Sequence, residues 1–101
     1  MQHRRVLQHG ANRLWKYRKR MDFTQSQVAE ILGYHSPTDI SHYEHGRKVP
    51  SLVTALKLEL VYRVPVAFLF PELYHELKEQ LRAREERLLL RRHGRRANPP
   101  A

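Results

Sequence analysis

The sequence contains no cysteine, few glycines and prolines, and no long apolar run. Without cysteine there is no disulfide scaffold, no thiolate zinc site and no catalytic thiol, and we expect a reducing, cytoplasmic environment. Four Gly and six Pro in 101 residues exclude a collagen-like or Gly/Pro-rich disordered chain. No apolar run approaches the roughly 18 residues of a membrane span, and neither a membrane segment nor a signal peptide is expected. With 41% hydrophobic residues, one globular domain is predicted.

Positive charge is abundant and unevenly distributed. Lys and Arg total 19 against 10 Asp and Glu, so the formal net charge is +9. Residues 1–23 hold seven basic and one acidic residue, residues 24–70 hold four of each, and residues 71–101 hold eight and five. Such a chain favours a polyanionic partner, with nucleic acid ahead of an anionic membrane surface.

The apolar spacing predicts an all-α chain with no strand pattern. The predicted helices cover residues 11–20, 25–32, 37–45, 52–62, 65–69 and 72–93. Five short helices with short connections predict a compact bundle, followed by a C-terminal helical extension. The expected organisation is an N-terminal basic arm (1–10), a bundle (11–70), an amphipathic helix (71–93) and a disordered basic tail (94–101).

Several residues are typical of helix ends. Thr24 and Gln27 have the spacing of a capping box before the second helix. Gly33 is expected to end that helix in a left-handed conformation. Ser36 and Ser51 are predicted N-caps of the third and fourth helices.

The second and third helices resemble a helix-turn-helix. Ala29 is small enough for a close crossing of two helices, and Gly33 supplies the positive φ of the turn. A helical bundle that does not bind DNA could carry the same local pattern.

A wider set of residues resembles the lambda-repressor-like family, and within it the Cro/Xre type of bacterial and phage regulators. The set is Thr24-Gln25-x-x-Val28-Ala29-x-x-Leu32-Gly33, Ile40-Ser41-x-Tyr43-Glu44-x-Gly46-Arg47, Pro50-Ser51-Leu52 and Val66-x-x-Leu69-Phe70. The resemblance covers about residues 11–70. It implies a lambda-repressor-like five-helix bundle whose third helix enters the major groove, usually as a dimer on a pseudo-palindrome.

The sequence departs from that family at three places. The turn from Gly33 to Ile40 is one residue longer than usual, and Arg63 stands where the family often has Gly. Apolar residues replace the usual polar ones at Val53, Leu60 and Phe68. These apolar residues predict a surface that something covers.

The resemblance implies a set of DNA contacts. Base contacts are expected from Thr38, Ser41 and His42, and phosphate contacts from Gln25, His45, Arg47 and Lys48. The alternative for each is an ordinary solvated side chain. Asp39 is repelled by phosphate, so we expect it to cap its helix or to accept from a cytosine amino group.

The resemblance also implies a structural ion pair between Arg18 and Glu44, joining the first and third helices. The alternative is two independent surface charges. His42 and His45 have a spacing that can chelate a metal, but no third ligand has a matching position. We therefore expect no metal, no cofactor and no enzymatic activity.

The sequence thus predicts a DNA-binding transcriptional regulator, with a repressor acting as a dimer on a palindromic operator as the first hypothesis. The second hypothesis is an antitoxin that binds a toxin through the C-terminal helix and represses its own operon. A third is a basic protein that binds RNA, or DNA without specificity. In each case we expect the protein in the cytoplasm, with no membrane partner. The C-terminal helix is equally compatible with docking on its own bundle and with dimerisation.

Overall fold

The computed structural model describes residues 12–97, and within this range the side chains through residue 93. Six helices and no strand occur in this part of the chain, which confirms the predicted all-helical fold. They are α1 (Leu14–Arg20), α2 (Gln25–Leu32), α3 (Thr38–Glu44), α4 (Leu52–Tyr62), α5 (Val66–Leu69) and α6 (Pro71–Ala97). The predicted N-terminal basic arm, residues 1–10, lies outside the described residues.

Helices α1 to α5 surround a single hydrophobic core. Each of them contributes at least one side chain that is at most 2% exposed, and the largest of these are Leu14, Val28, Ile40, Leu58 and Leu69. Burying a side chain of this size stabilises the fold by about 1.5–3 kcal/mol. Because the five residues come from five different helices, no helix can leave the bundle without opening this core.

The predicted caps of α2 and α4 are present. The Thr24 hydroxyl accepts a hydrogen bond from the Gln27 backbone, and the Gln27 side chain accepts one from the Thr24 backbone, so the capping box is complete. Gly33 ends α2 with a φ of 87°. The Ser51 hydroxyl accepts from the Thr54 backbone N–H at the start of α4. These bonds satisfy donors that a helix cannot satisfy by itself.

The predicted cap of the third helix was wrong by one residue. Pro37, and not Ser36, occupies the N-cap position, and α3 begins at Thr38. The Ser36 hydroxyl donates to the Thr38 hydroxyl at 3.1 Å and so lies beside the first residue of the helix. The additional residue of the turn therefore lies in the segment before α3 and not within the helix.

Arg63 adopts the left-handed conformation for which the family often has glycine. It ends α4 with φ 61° and ψ 38°. A non-glycine residue accepts this conformation at a cost of about 1–2 kcal/mol, because its Cβ approaches the following carbonyl oxygen. The backbone at residue 63 thus has the left-handed conformation that a glycine would adopt there, although the residue is an arginine.

The last helix is longer than predicted. It runs through Ala97, four residues beyond the predicted end at residue 93, and residues 98–101 lie outside the described part. The predicted disorder of residues 94–101 stays a prediction. Gly94 lowers helix propensity by about 1 kcal/mol relative to alanine, which does not end a helix unless a cap follows. Helix α6 packs mainly on α5 and projects from the bundle, which gives the molecule extents of 67 × 28 × 22 Å.

Within residues 12–97, no helix combines the length and the apolar character that crossing a membrane requires. The apolar surface predicted from Val53, Leu60 and Phe68 is exposed, and α6 does not cover it.

Candidate nucleic-acid interface

Helix α3 has one buried face and one solvent-facing side. Ile40, Tyr43 and Glu44 are buried against the bundle. Thr38 and His42 lie one helical turn apart on the opposite side, where Thr38 is exposed and His42 is half-buried. The predicted base-contacting residues are therefore presented outward from a helix whose other face is fixed in the core.

A buried ion pair attaches α3 to α1. Arg18 Nε lies 2.6 Å from Glu44 Oε2, and Arg18 Nη2 donates to Glu44 Oε1 at 3.1 Å, so the contact is bidentate. The two side chains are 8% and 4% exposed. Arg18 Nη1 also donates to the Phe23 carbonyl, and the hydrogen bond to Glu44 raises the pKa of Arg18. The pair expected by resemblance thus occupies the interior and orients α3.

Asn12 makes a second connection between α1 and α3 that sequence reasoning missed. Its Nδ2 donates to the Tyr43 carbonyl at 2.8 Å, and its Oδ1 accepts from the Leu14 backbone N–H. The sequence does place an asparagine two residues before α1, and asparagine is favoured near helix N-termini. The hydrogen bond to α3 joins residues that are 31 positions apart, so no pattern of neighbouring residues indicates it.

Ser41 and His45 interact with each other on one flank of the solvent-facing side. His45 Nδ1 lies 2.8 Å from the Ser41 carbonyl oxygen, and since a carbonyl can only accept, Nδ1 carries the hydrogen. In the neutral ring Nε2 is then an acceptor. A phosphate contact from His45 through Nε2 therefore requires the protonated imidazolium.

The segment after α3 is folded back onto its last turn. Gly46 has a φ of 72°, and the Arg47 backbone N–H donates to the His42 carbonyl at 2.8 Å. This bond fixes the direction in which the chain leaves α3. The Arg47 side chain is exposed beside the same end of the helix.

Lys48 forms an ion pair with Asp39, which the sequence analysis did not predict. The Lys48 Nζ to Asp39 Oδ1 distance is 2.8 Å, and the side chains are 50% and 42% exposed. Exposed pairs of this kind contribute at most about 1 kcal/mol. The pair reduces the negative charge that Asp39 presents on α3, and a phosphate could displace Asp39 from Lys48 at small cost.

Gln25, which was expected to contact a DNA phosphate, instead forms a hydrogen bond within the protein. Its Nε2 donates to Glu44 Oε1 at 3.0 Å, so Glu44 accepts from α1 and α2 together. One amide hydrogen of Gln25 remains for another acceptor. The first two backbone N–H groups of α2, at Gln25 and Ser26, have no acceptor within their own helix.

A shallow hollow adjoins these backbone groups at the junction of α1, α2 and α3. Its lining includes Lys19, Asp22, Thr24, Gln25, Ser26 and Pro37. Lys19 and the N-terminus of α2 favour an anion in this space, and the Asp22 carboxylate opposes one. In the described part of the chain, no group of three or more His, Asp or Glu residues is arranged to hold a metal ion.

Comparison with known proteins gives one family. The sequence model of the family described as Helix-turn-helix matches residues 16–69, from within α1 to the end of α5. Searches of curated proteins and of solved structures gave no match. The matched segment is just over half of the chain, and it excludes α6.

Proposed function

Because the chain belongs to the Cro/Xre-type helix-turn-helix family of DNA-binding transcriptional regulators, we propose that it is a sequence-specific repressor. In this proposal two copies occupy a palindromic operator on the bacterial nucleoid and exclude the transcription machinery from it. The bundle provides a DNA-binding unit, and α6 provides the means of pairing.

The observation that carries the proposal is the division of α3 into two sides. Glu44 bonds with Arg18 and Gln25 and holds the helix at a fixed angle. On the opposite side, Thr38 and His42 are presented to solvent without a role in the core. Thr38 can contact a base edge or a thymine methyl, and His42 can donate to or accept from a purine edge in the major groove.

The phosphate contacts in this proposal come from both ends of the helix-turn-helix. Arg47 and Lys48 follow α3, and the N-terminal backbone of α2 lies beside Gln25 and Lys19. Lys48 would exchange Asp39 for a phosphate oxygen, since an exposed ion pair competes weakly with a polyanion. Contacts at these two places would fix the orientation of α3 on the duplex without contributing to sequence choice.

The decisive experiment is selection of bound sequences from a random pool of double-stranded DNA at stated salt. We expect a palindromic consensus, which would establish both specificity and a symmetric dimer. Recovery of no consensus would refute the proposal and favour nonspecific or RNA binding.

Two variants separate base contacts from phosphate contacts. His42→Ala should cost roughly 1–3 kcal/mol on the selected site, relax the preference at one base position and leave binding to random DNA unchanged. Arg47→Ala should weaken both kinds of DNA equally and reduce the salt slope by about one. Arg87→Ala is the matched charge control, because Arg87 is exposed on α6 and lies on the side of that helix opposite Leu81.

The same experiments test the register of α3. If His42→Ala leaves the base preferences unchanged while Thr38→Ala or Ser41→Ala alters them, the contacting residue is one of those two. If none of the three variants alters a preference, α3 does not contact bases and the proposal fails.

The projecting α6 supports a second candidate, the antitoxin. Its outward leucines would bind a toxin, and the bundle would repress the shared operon. A stable complex with the product of a gene adjacent to this one, lost when α6 is removed, would favour this candidate.

A further inference from the structure

Helix α6 carries an apolar stripe along most of its length. Tyr74, Leu77, Leu81 and Leu88 recur at intervals of three, four and seven residues, which places them on one side of the helix. Each is 44–58% exposed, so nothing in the described chain covers the stripe. Arg84 lies on the same side, between Leu81 and Leu88.

The stripe continues into an apolar groove at the junction of α6 with the bundle. The groove is lined by Val49, Pro50, Ala55, Val66, Ala67 and Phe70 from the bundle and by Leu73, Tyr74 and Leu77 from α6. Leu88 is eleven residues beyond Leu77, roughly 16 Å along a continuous helix. A helix cannot fold back on itself, so the distal leucines of one chain cannot reach their own groove, whereas those of a second copy can.

Charge favours a second copy in the opposite direction. Residues 71–80 contain three Glu and one Lys, and residues 81–93 contain five Arg and two Glu. Antiparallel pairing places each acidic half beside a basic half. Parallel pairing would instead bring Arg84 against Arg84 and Arg91 against Arg91 of the second copy, with like charges facing each other at two levels of the stripe.

We propose that two copies of this chain pair through α6 in antiparallel orientation, with Leu88 of each copy entering the apolar groove of the other. The proposal rests on the dimer of the proposed function and names its interface. In this register Leu77 lies opposite Leu88 of the second copy, and Leu81 lies opposite Arg84.

One further feature agrees with this register. Lys78 and Glu85 flank the stripe on the same edge of α6. Glu85 Oε1 lies 3.4 Å from Arg82 Nη1 of its own chain, and antiparallel pairing brings Lys78 of the second copy beside the same carboxylate. The symmetry axis passes between residues 82 and 83, so the two Pro71 residues would be about 35 Å apart and the two bundles would lie at opposite ends of the helix pair.

The first test measures the dimer directly by sedimentation equilibrium of the full chain without DNA. Leu88→Glu should raise the dissociation constant roughly 100-fold, because a two-fold interface loses the same buried leucine twice. Leu60→Glu is the control, since Leu60 is 75% exposed on α4 and outside the groove. A monomeric wild-type chain, or a dimer broken by Leu60→Glu and not by Leu88→Glu, would refute the pairing.

The second test determines direction. Lys78→Glu alone and Glu85→Lys alone should each weaken the dimer, and the double variant should restore it. Since the chain has no cysteine, a mixture of Leu77→Cys and Leu88→Cys chains should form a mixed disulfide under mild oxidation, and neither chain alone should do so efficiently. Cross-linking of each variant with itself instead would indicate parallel helices and refute the proposal.

These tests are independent of the DNA selection. A palindromic consensus from a chain whose dimer survives Leu88→Glu would refute the α6 interface and leave the repressor intact. An antiparallel α6 dimer that recovers no consensus would support the interface and refute the repressor.

Discussion

Replacing Glu44 by glutamine tests how strongly one buried carboxylate holds α3 in the bundle. The change keeps the shape of the side chain and removes its charge. It leaves the Arg18 guanidinium 8% exposed, with the Phe23 carbonyl and an uncharged amide oxygen as acceptors. Gln25 also loses a charged acceptor. Breaking a buried pair costs about 3–5 kcal/mol, and the retained amide oxygen favours the lower end.

Asp39→Asn is the matched control, because it is the same kind of change on the same helix. The Asp39–Lys48 pair is about half exposed, so its loss should cost less than about 1 kcal/mol. Urea denaturation followed by circular dichroism gives both free energies of unfolding. In thermal denaturation, a loss of 3 kcal/mol corresponds to a decrease of roughly 12–24 °C in a domain of this size.

The double variant Arg18→Met, Glu44→Leu should recover part of the loss, since it removes both buried charges together. The reasoning fails if Glu44→Gln costs no more than Asp39→Asn. It also fails if the double-mutant cycle between Arg18 and Glu44 gives no coupling energy.

Three other measurements follow from the structure. Among the residues whose side chains the structure describes, the buried Tyr62 hydroxyl has no hydrogen-bond partner, so Tyr62→Phe should leave stability unchanged or raise it by up to about 1 kcal/mol. Tyr34→Phe breaks a 2.6 Å bond to Thr54 and should lower stability by about 1 kcal/mol. Equal losses in urea denaturation would contradict this. Burial raises the pKa of Tyr43 to about 12 and raises that of Tyr62 as well, above the usual value of 10. The folded state therefore favours the protonated phenols. Their contribution to the free energy of unfolding should be constant well below pH 10 and should decrease as the pH rises from about 10 to about 12. A free energy of unfolding that increases over this range would be incompatible with neutral buried phenols. Arg63→Gly should stabilise the protein by about 0.5–1 kcal/mol, because Arg63 occupies a left-handed helix end, and a lower melting temperature would show that its side chain compensates the strain.

The helix ends that depend on neighbouring residues were predictable from the sequence. Thr24 with Gln27, and Gly33 after α2, act within one turn, so their types and spacing already specify their hydrogen bonds. Ser36 failed as a predicted cap because two adjacent residues could both begin α3. A rule based on residue types alone does not decide between these two starting positions, because contacts with α1 determine where α3 lies.

The side-chain partners at the candidate site were less predictable. Gln25 and Lys48 are of types suited to phosphate, yet in the free protein they bond to carboxylates 19 and 9 residues away. Arg18 and Glu44 are 26 residues apart, and only the resemblance indicated their pairing. Long-range bonds of this kind depend on how helices cross, which neither spacing nor composition specifies.

The separation of α3 into a buried and an outward side has a consequence for engineering. Glu44 anchors the helix and lies at least two residues from each of Thr38, Ser41 and His42 along the chain. Randomising those three positions changes outward side chains and leaves the buried anchor untouched. If these three side chains contact bases as proposed, a library of this kind would retain one scaffold while varying its DNA targets. Screening it against many operators would map which base each position discriminates.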